Sequence, residues 1–177
     1  MKKILIIDTS ILCVYLKIPG KEECGAVGNK WDYEKISKKI EDEIACGSTL
    51  VLPLATIIET GNHIAYLCSS RTGGSKVFSL ATDLAGIMKK VANAESPWAA
   101  FMGQFHRQEF DNRWLTELAE EWPDLAKSGL SLADATIRKV AELYSGFCEV
   151  EILTGDTRLK SYEPKVAVDI PRRRQKK

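Results

Sequence analysis

The sequence predicts an α/β fold with a mostly parallel central sheet flanked by helices. Two observations carry that expectation. Apolar residues fall in short continuous runs, such as Ile4-Leu5-Ile6-Ile7 and Leu50-Val51-Leu52, the mark of strands buried on both faces. Between such runs lie longer stretches in which apolar residues recur at the helical period. Strands that alternate with helices pair in parallel. At 177 residues and 45% hydrophobic, the chain is sized for one domain. Such a domain buries roughly 70% of its unfolded surface and needs no disulfide or metal to hold a core.

The elements follow in order. Residues 4–7 form the first strand, and Asp8-Thr9-Ser10 closes it and suits the cap of a short helix through Leu16. Pro19-Gly20 breaks the chain. Over residues 32–46, Ile36, Ile40 and Ile44 recur among Lys and Glu, an amphipathic surface helix ended by Gly47. Residues 50–53 form a second strand. Residues 55–68 form a helix carrying Ile57, Ile58, Ile64, Ala65 and Leu67, and residues 69–75, with Gly73-Gly74, form a loop. Residues 69–129 make an enlarged helical segment, with helices from 77 to 127 broken near Ser96-Pro97 and Trp122-Pro123. Within it Trp98, Phe101, Met102 and Phe105 have helical spacing and suit a core or dimer face. Residues 132–144 form another helix, 149–153 a third strand and 166–170 a fourth. One domain is expected over 1–170, with 171–177 a basic, disordered tail.

Net charge is +1, but the balance is uneven. The last six residues hold five basic side chains and no acid, so the remaining body is acidic. Five cysteines, spread widely with no C-x-x-C pair, argue against a disulfide framework and a zinc site. They suit a reducing cytoplasm. The N-terminal apolar run is cut short by Asp8, and no stretch has the length of a membrane span, so no membrane association is expected.

In open α/β sheets, ligands bind beyond the carboxyl ends of the strands. Four carboxylates stand there. Asp8 follows the first strand, Glu59 lies in the first turns of the helix after the second strand, Asp134 lies in the first turn of the helix beginning near Ser131, and Asp156 follows the third strand. Clustered carboxylates repel one another unless a cation neutralises them, and all-oxygen ligand sets suit Mg²⁺ or Mn²⁺. Each residue also has a plainer role. Asp8 fits a helix cap, Ser131-Leu132-Ala133-Asp134 fits a capping box, Asp156 fits a turn, and Glu59 fits a solvated helix face. Their joint placement at element ends carries the argument.

The residues also resemble a known family. Ile6-Ile7-Asp8-Thr9-Ser10-Ile11-Leu12 resembles the opening motif of PIN-domain nucleases, and Glu59 in Leu54-Ala55-Thr56-Ile57-Ile58-Glu59 resembles their second acidic position. Ser131-Leu132-Ala133-Asp134-Ala135 resembles the third, and Leu153-Thr154-Gly155-Asp156-Thr157-Arg158-Leu159 the fourth. The resemblance spans residues 3–170 and implies a Rossmann-like PIN domain. It also implies divalent-metal-dependent endoribonuclease activity, as in the toxins of toxin–antitoxin pairs, with an inhibitor (antitoxin) protein and a homodimer as partners. Residues 69–129 are longer and more helical than in small PIN toxins.

On that footing Asp8, Glu59, Asp134 and Asp156 are the expected catalytic residues and ligands of Mg²⁺ or Mn²⁺, with Glu59 orienting the attacking water. Thr9, Ser10 and Thr154 are expected to hydrogen-bond the carboxylates or a phosphate, with Asn62 in reach one helical turn beyond Glu59. His63 suits the surface or packing. Arg158, Lys160 and the tail residues Arg172, Arg173 and Arg174 are the expected RNA contacts. A non-catalytic PIN-like RNA-binding or scaffold module is the alternative. An aspartate-nucleophile phosphatase is disfavoured, because Ser10 stands where a second Asp is needed.

Overall fold

A computed structural model describes residues 3–69, 74–99 and 112–165. Its elements are β1 (Lys3–Ile7), α1 (Thr9–Tyr15), β2 (Glu23–Cys24), β3 (Trp31–Asp32), α2 (Tyr33–Ala45), β4 (Thr49–Val51), α3 (Leu54–Tyr66), α4 (Gly74–Ala92), β5 (Trp98–Ala99), α5 (Asn112–Lys127), α6 (Leu132–Ser145), β6 (Glu149–Leu153) and α7 (Thr157–Ser161). Among the described residues the main sheet has the order β5-β4-β1-β6, every pair parallel. The fold is α/β with a parallel sheet flanked by helices, as expected. The chain leaves β1 towards β4 and β5, then returns to the other side of β1 to form β6. The strand order reverses there, so the crevice between the carboxyl ends of β1 and β6 is the place for a ligand.

Two apolar layers explain the continuous strand runs. Leu5, Ile7 and Leu153 face a cluster with Ile11, Leu12, Val14, Ile36, Ile64, Leu84 and Ile87 from α1 to α4. Ile4, Ile6, Val150 and Ile152 face Ile137, Val140, Ala141 and Tyr144 of α6. Alternate side chains of β1 enter opposite layers, so every position is apolar rather than every second one. Ile6, Leu5 and Ile152 are fully buried, and each such side chain contributes about 1.5–3 kcal/mol.

Several expectations are corrected. Trp98 lies in β5, paired beside Leu50, and so belongs to no helical stripe; Phe101, Met102 and Phe105 lie outside the described residues. Parallel pairing with β4 and packing against the first core layer decide its backbone. Trp122-Pro123 does not break α5, which runs on to Lys127. Proline removes a helical hydrogen bond, but Trp122 and Leu125 pack with Trp114, Leu118, Leu130 and Tyr162 in a third apolar cluster, and that burial keeps the helix whole. Gly74 and Ser75, expected in a loop, begin α4. The third helix ends at Tyr66, and Leu67–Ser69 form a 3-10 turn. The two-residue strands β2 and β3 form an antiparallel ribbon that no sequence period announces. The expected strand at 166–170 and the tail lie outside the described residues.

Candidate functional site

Asp8 sits at the crevice because backbone pairing continues one residue past β1: its N–H donates to Leu153 O at 3.1 Å. It then caps α1, its Oδ1 accepting from Thr9 N–H at 2.6 Å. Its Oδ2 accepts from Ser10 Oγ at 2.6 Å and from Thr154 Oγ1 at 2.7 Å. Asp8 is only 4% exposed. Burial pushes its carboxyl above the ordinary range, the Ser10 and Thr154 hydroxyls pull it down, and the charge of Asp134 pushes it up again; the net direction is up.

The other carboxylates are fixed by separate elements. Thr56 Oγ1 donates to Ile7 O at 3.0 Å, which ties α3 to the end of β1, and one turn on Glu59 Oε2 accepts from Thr9 Oγ1 at 2.8 Å. Asp134 closes a capping box with Ser131, its Oδ2 accepting from Ser131 Oγ at 2.7 Å. Asp156 caps α7, its Oδ1 accepting from Arg158 N–H at 2.7 Å and from Leu159 N–H at 3.3 Å. Thr154 Oγ1 accepts from Asp156 N–H at 2.9 Å, and Gly155 N–H donates to Ser10 Oγ at 3.1 Å. The loop after β6 is thus laced to α1 through Asp8, Ser10 and Thr154.

All four carboxylates line one open cleft of about 310 Å³, together with Thr9, Ser10, Cys13, Val14, Lys21, Glu23, Cys24 and His63. Asp8, Asp134 and Asp156 therefore cap helices and line the cleft at once. Thr154 reaches the cleft through Asp8, while Asn62 is exposed on α3 and is not among the lining residues. Arg158 and Lys160 point elsewhere. Arg158 Nη1 donates to Gly129 O at 2.5 Å, and Lys160 Nζ donates to Ile152 O at 3.0 Å and pairs with Glu163 at 2.6 Å. Arg172, Arg173 and Arg174 lie outside the described residues.

Sequence reasoning passed over Lys21, Glu23, Cys24 and Cys13, and it set His63 on the surface or in packing. The α1–β2 connection brings Lys21, and β2 brings Glu23 and Cys24, to the cleft wall. The ribbon lies so close to the loop after β6 that a Cβ on Gly155 would stand 2.8 Å from Cys24 Sγ and from Gly25 N. Contacts of this kind join residues far apart in sequence, and no local pattern signals them. Burial pushes the Cys13 thiol up to about 11 despite the nearby charge of Lys21, which disfavours the thiolate form.

No protein-family model, curated protein or solved structure matches the chain. The donor set is all oxygen, which suits a hard divalent cation. The spacing is not that of a ready-made metal centre: among the described residues, no three His, Cys, Asp or Glu side chains form a group able to hold an ion. The carboxylates face hydroxyl and backbone donors instead. Among the described residues no helix is long and apolar enough to cross a membrane.

Proposed function

We propose that the chain is a divalent-metal-dependent endoribonuclease of the PIN-domain kind, with the cleft as its active site. One observation carries the proposal: four carboxylates from four separate elements line a single cleft at the strand-order switch, around an almost fully buried Asp8. Burying a carboxylate is costly unless something stabilises its charge. Asp8, Asp134, Asp156 and Glu59 would hold Mg²⁺ or Mn²⁺, which when bound neutralises the cluster and makes a water more acidic. Thr9 orients Glu59 through its hydroxyl, leaving the carboxylate of Glu59 to direct the attacking water and take its proton. Ser10 and Thr154 hold Asp8 in one rotamer, so the cleft is organised before substrate arrives. Hydrolysis leaves a 5′-phosphate and a 3′-hydroxyl. A place in a toxin–antitoxin or related defence system, with an inhibitor protein and a homodimeric assembly, belongs to the same proposal.

A second reading is a non-catalytic PIN-like RNA-binding or scaffold module. The observation that favours it is the lack of a metal-ready grouping among the described residues, where the carboxylates cap helices instead. Incubating the purified protein with labelled RNA separates the two. Cleavage that needs Mn²⁺ or Mg²⁺, stops in EDTA and is lost in Asp8→Asn supports the nuclease. Cleavage that persists in EDTA would sink the metal mechanism, and binding without cleavage of any RNA would favour the scaffold.

A further inference from the structure

A cleft with four carboxylates repels the substrate proposed for it, because a phosphodiester is itself an anion. A divalent ion offsets part of that repulsion, and a fixed cation at the wall would offset more. Among the described residues one lysine or arginine lines the cleft, and it is Lys21. Its backbone is held firmly. Lys21 N–H donates to the carbonyl of the buried Ile18 at 2.9 Å, and Gly20 before it takes a φ of 77°, a left-handed turn that favours glycine. Gly20 N–H in turn donates to Glu22 Oε1 at 2.9 Å.

The ammonium is free for a ligand. Glu23, which shares the cleft, is taken by Lys30. Among the described residues no carboxylate pairs with Lys21, although five line the same cleft. The other lysines of this region are engaged. Lys17 lies over the Tyr33 ring at 3.7 Å, and Lys35 lies over the Trp31 ring at 4.3 Å. Arg158 and Lys160, the basic residues nearest Asp156 in sequence, are bonded to backbone carbonyls outside the cleft.

We propose that Lys21 is the substrate-binding cation of the cleft, gripping a phosphodiester oxygen of single-stranded RNA beside the carboxylates. This rests on the nuclease reading and names the group that brings substrate into that site. An ammonium serves here as a point charge that accommodates any nucleotide, so the contact sets affinity rather than sequence preference.

The test is steady-state cleavage and equilibrium binding of a labelled single-stranded RNA with Mn²⁺, over a series of NaCl concentrations. It compares the wild-type chain with Lys21→Met, Lys21→Gln and Lys21→Arg, each checked for an unchanged thermal unfolding midpoint. Losing one charge-assisted contact should raise KM and Kd by about tenfold in Lys21→Met and Lys21→Gln, with kcat changed far less. The slope of log K against log salt should flatten by about 0.7, one single-strand phosphate contact, and Lys21→Arg should restore both. Wild-type KM and salt slope in both neutral variants, or failure of arginine to rescue, would overturn the assignment while leaving the nuclease standing. A wild-type protein that neither binds nor cleaves RNA would overturn both.

Discussion

The end of the sheet opposite the cleft is closed by charge, and its response to acid can be worked from the structure. Glu43 on α2 accepts from Lys3 Nζ at 2.5 Å, from Lys39 Nζ at 2.7 Å and from Ser48 Oγ at 2.6 Å. Glu151 on β6 pairs with the same two lysines at 2.7 and 3.0 Å. The Glu43 side chain is 9% exposed, so solvent screens these bonds little. Burial by itself would raise the Glu43 carboxyl, but Lys3, Lys39 and Ser48 more than offset it and hold it at about 2, against an ordinary 4.5. A depressed carboxyl contributes stability that is fully present above its unfolded value and is lost as pH falls through its folded value. The window here runs from 4.5 down to about 2, and the full shift corresponds to at most about 3 kcal/mol. The upward shift of Lys3 reports the same contacts and adds nothing to this figure. The perturbation is Glu43→Gln, compared with wild type by urea unfolding between about pH 6 and pH 3. Wild type should be more stable by about 2–3 kcal/mol near pH 6, and the gap should narrow by about 1.4 kcal/mol per unit below pH 4.5. A gap that stays constant down to pH 3 would refute the argument that these ion pairs clamp α2 to the sheet.

Three further outcomes are expected. Asp8→Asn should slow RNA cleavage at least about 10²-fold in Mn²⁺, while in EDTA its thermal midpoint should match or exceed that of wild type, because the buried ionised carboxylate costs stability. Gly155→Ala should destabilise by about 1–3 kcal/mol in urea unfolding, since its Cβ would meet Cys24 and Gly25 and must push the ribbon off the loop after β6; an unchanged midpoint would mean that the ribbon moves freely. Mn²⁺ at about 100 times its dissociation constant should stabilise the wild-type chain by about 2.7 kcal/mol and Asp8→Asn by much less, and equal midpoint shifts in both would place the ion elsewhere.

Much of the layout was legible because it depends on local pattern. Ile4 to Ile7 are apolar without alternation, and such a run has few options other than a strand covered on both sides. Ile36 and Ile40 repeat at helical spacing, and the α2 that follows from them is capped by Asp32 as its chemistry suggests. Ser131 and Asp134 were legible as a capping box and Asp134 also as a cleft position, and in the structure Asp134 fills both roles. Trp98 and Pro123 were misjudged for a common reason. Each obeys a tertiary partner, β4 for Trp98 and the Trp114–Leu118 cluster for Pro123, which overrides local spacing or local backbone preference.

The candidate site divides along the same line. The sequence by itself determined which carboxylates end elements, because caps, strand ends and turn residues are properties of neighbours in the chain. It also determined the parallel architecture that sends those ends to one side. Only the tertiary structure decided that Asp8, Glu59, Asp134 and Asp156 share one cleft, and that Lys21 and His63 join them on its wall. Only it decided that Arg158 and Lys160, basic and adjacent to Asp156, turn to backbone carbonyls instead. The physical reason is range. Hydrogen bonds between neighbours leave a pattern that can be read along the chain, whereas the direction of a long charged side chain depends on which acceptors the folded chain brings within reach.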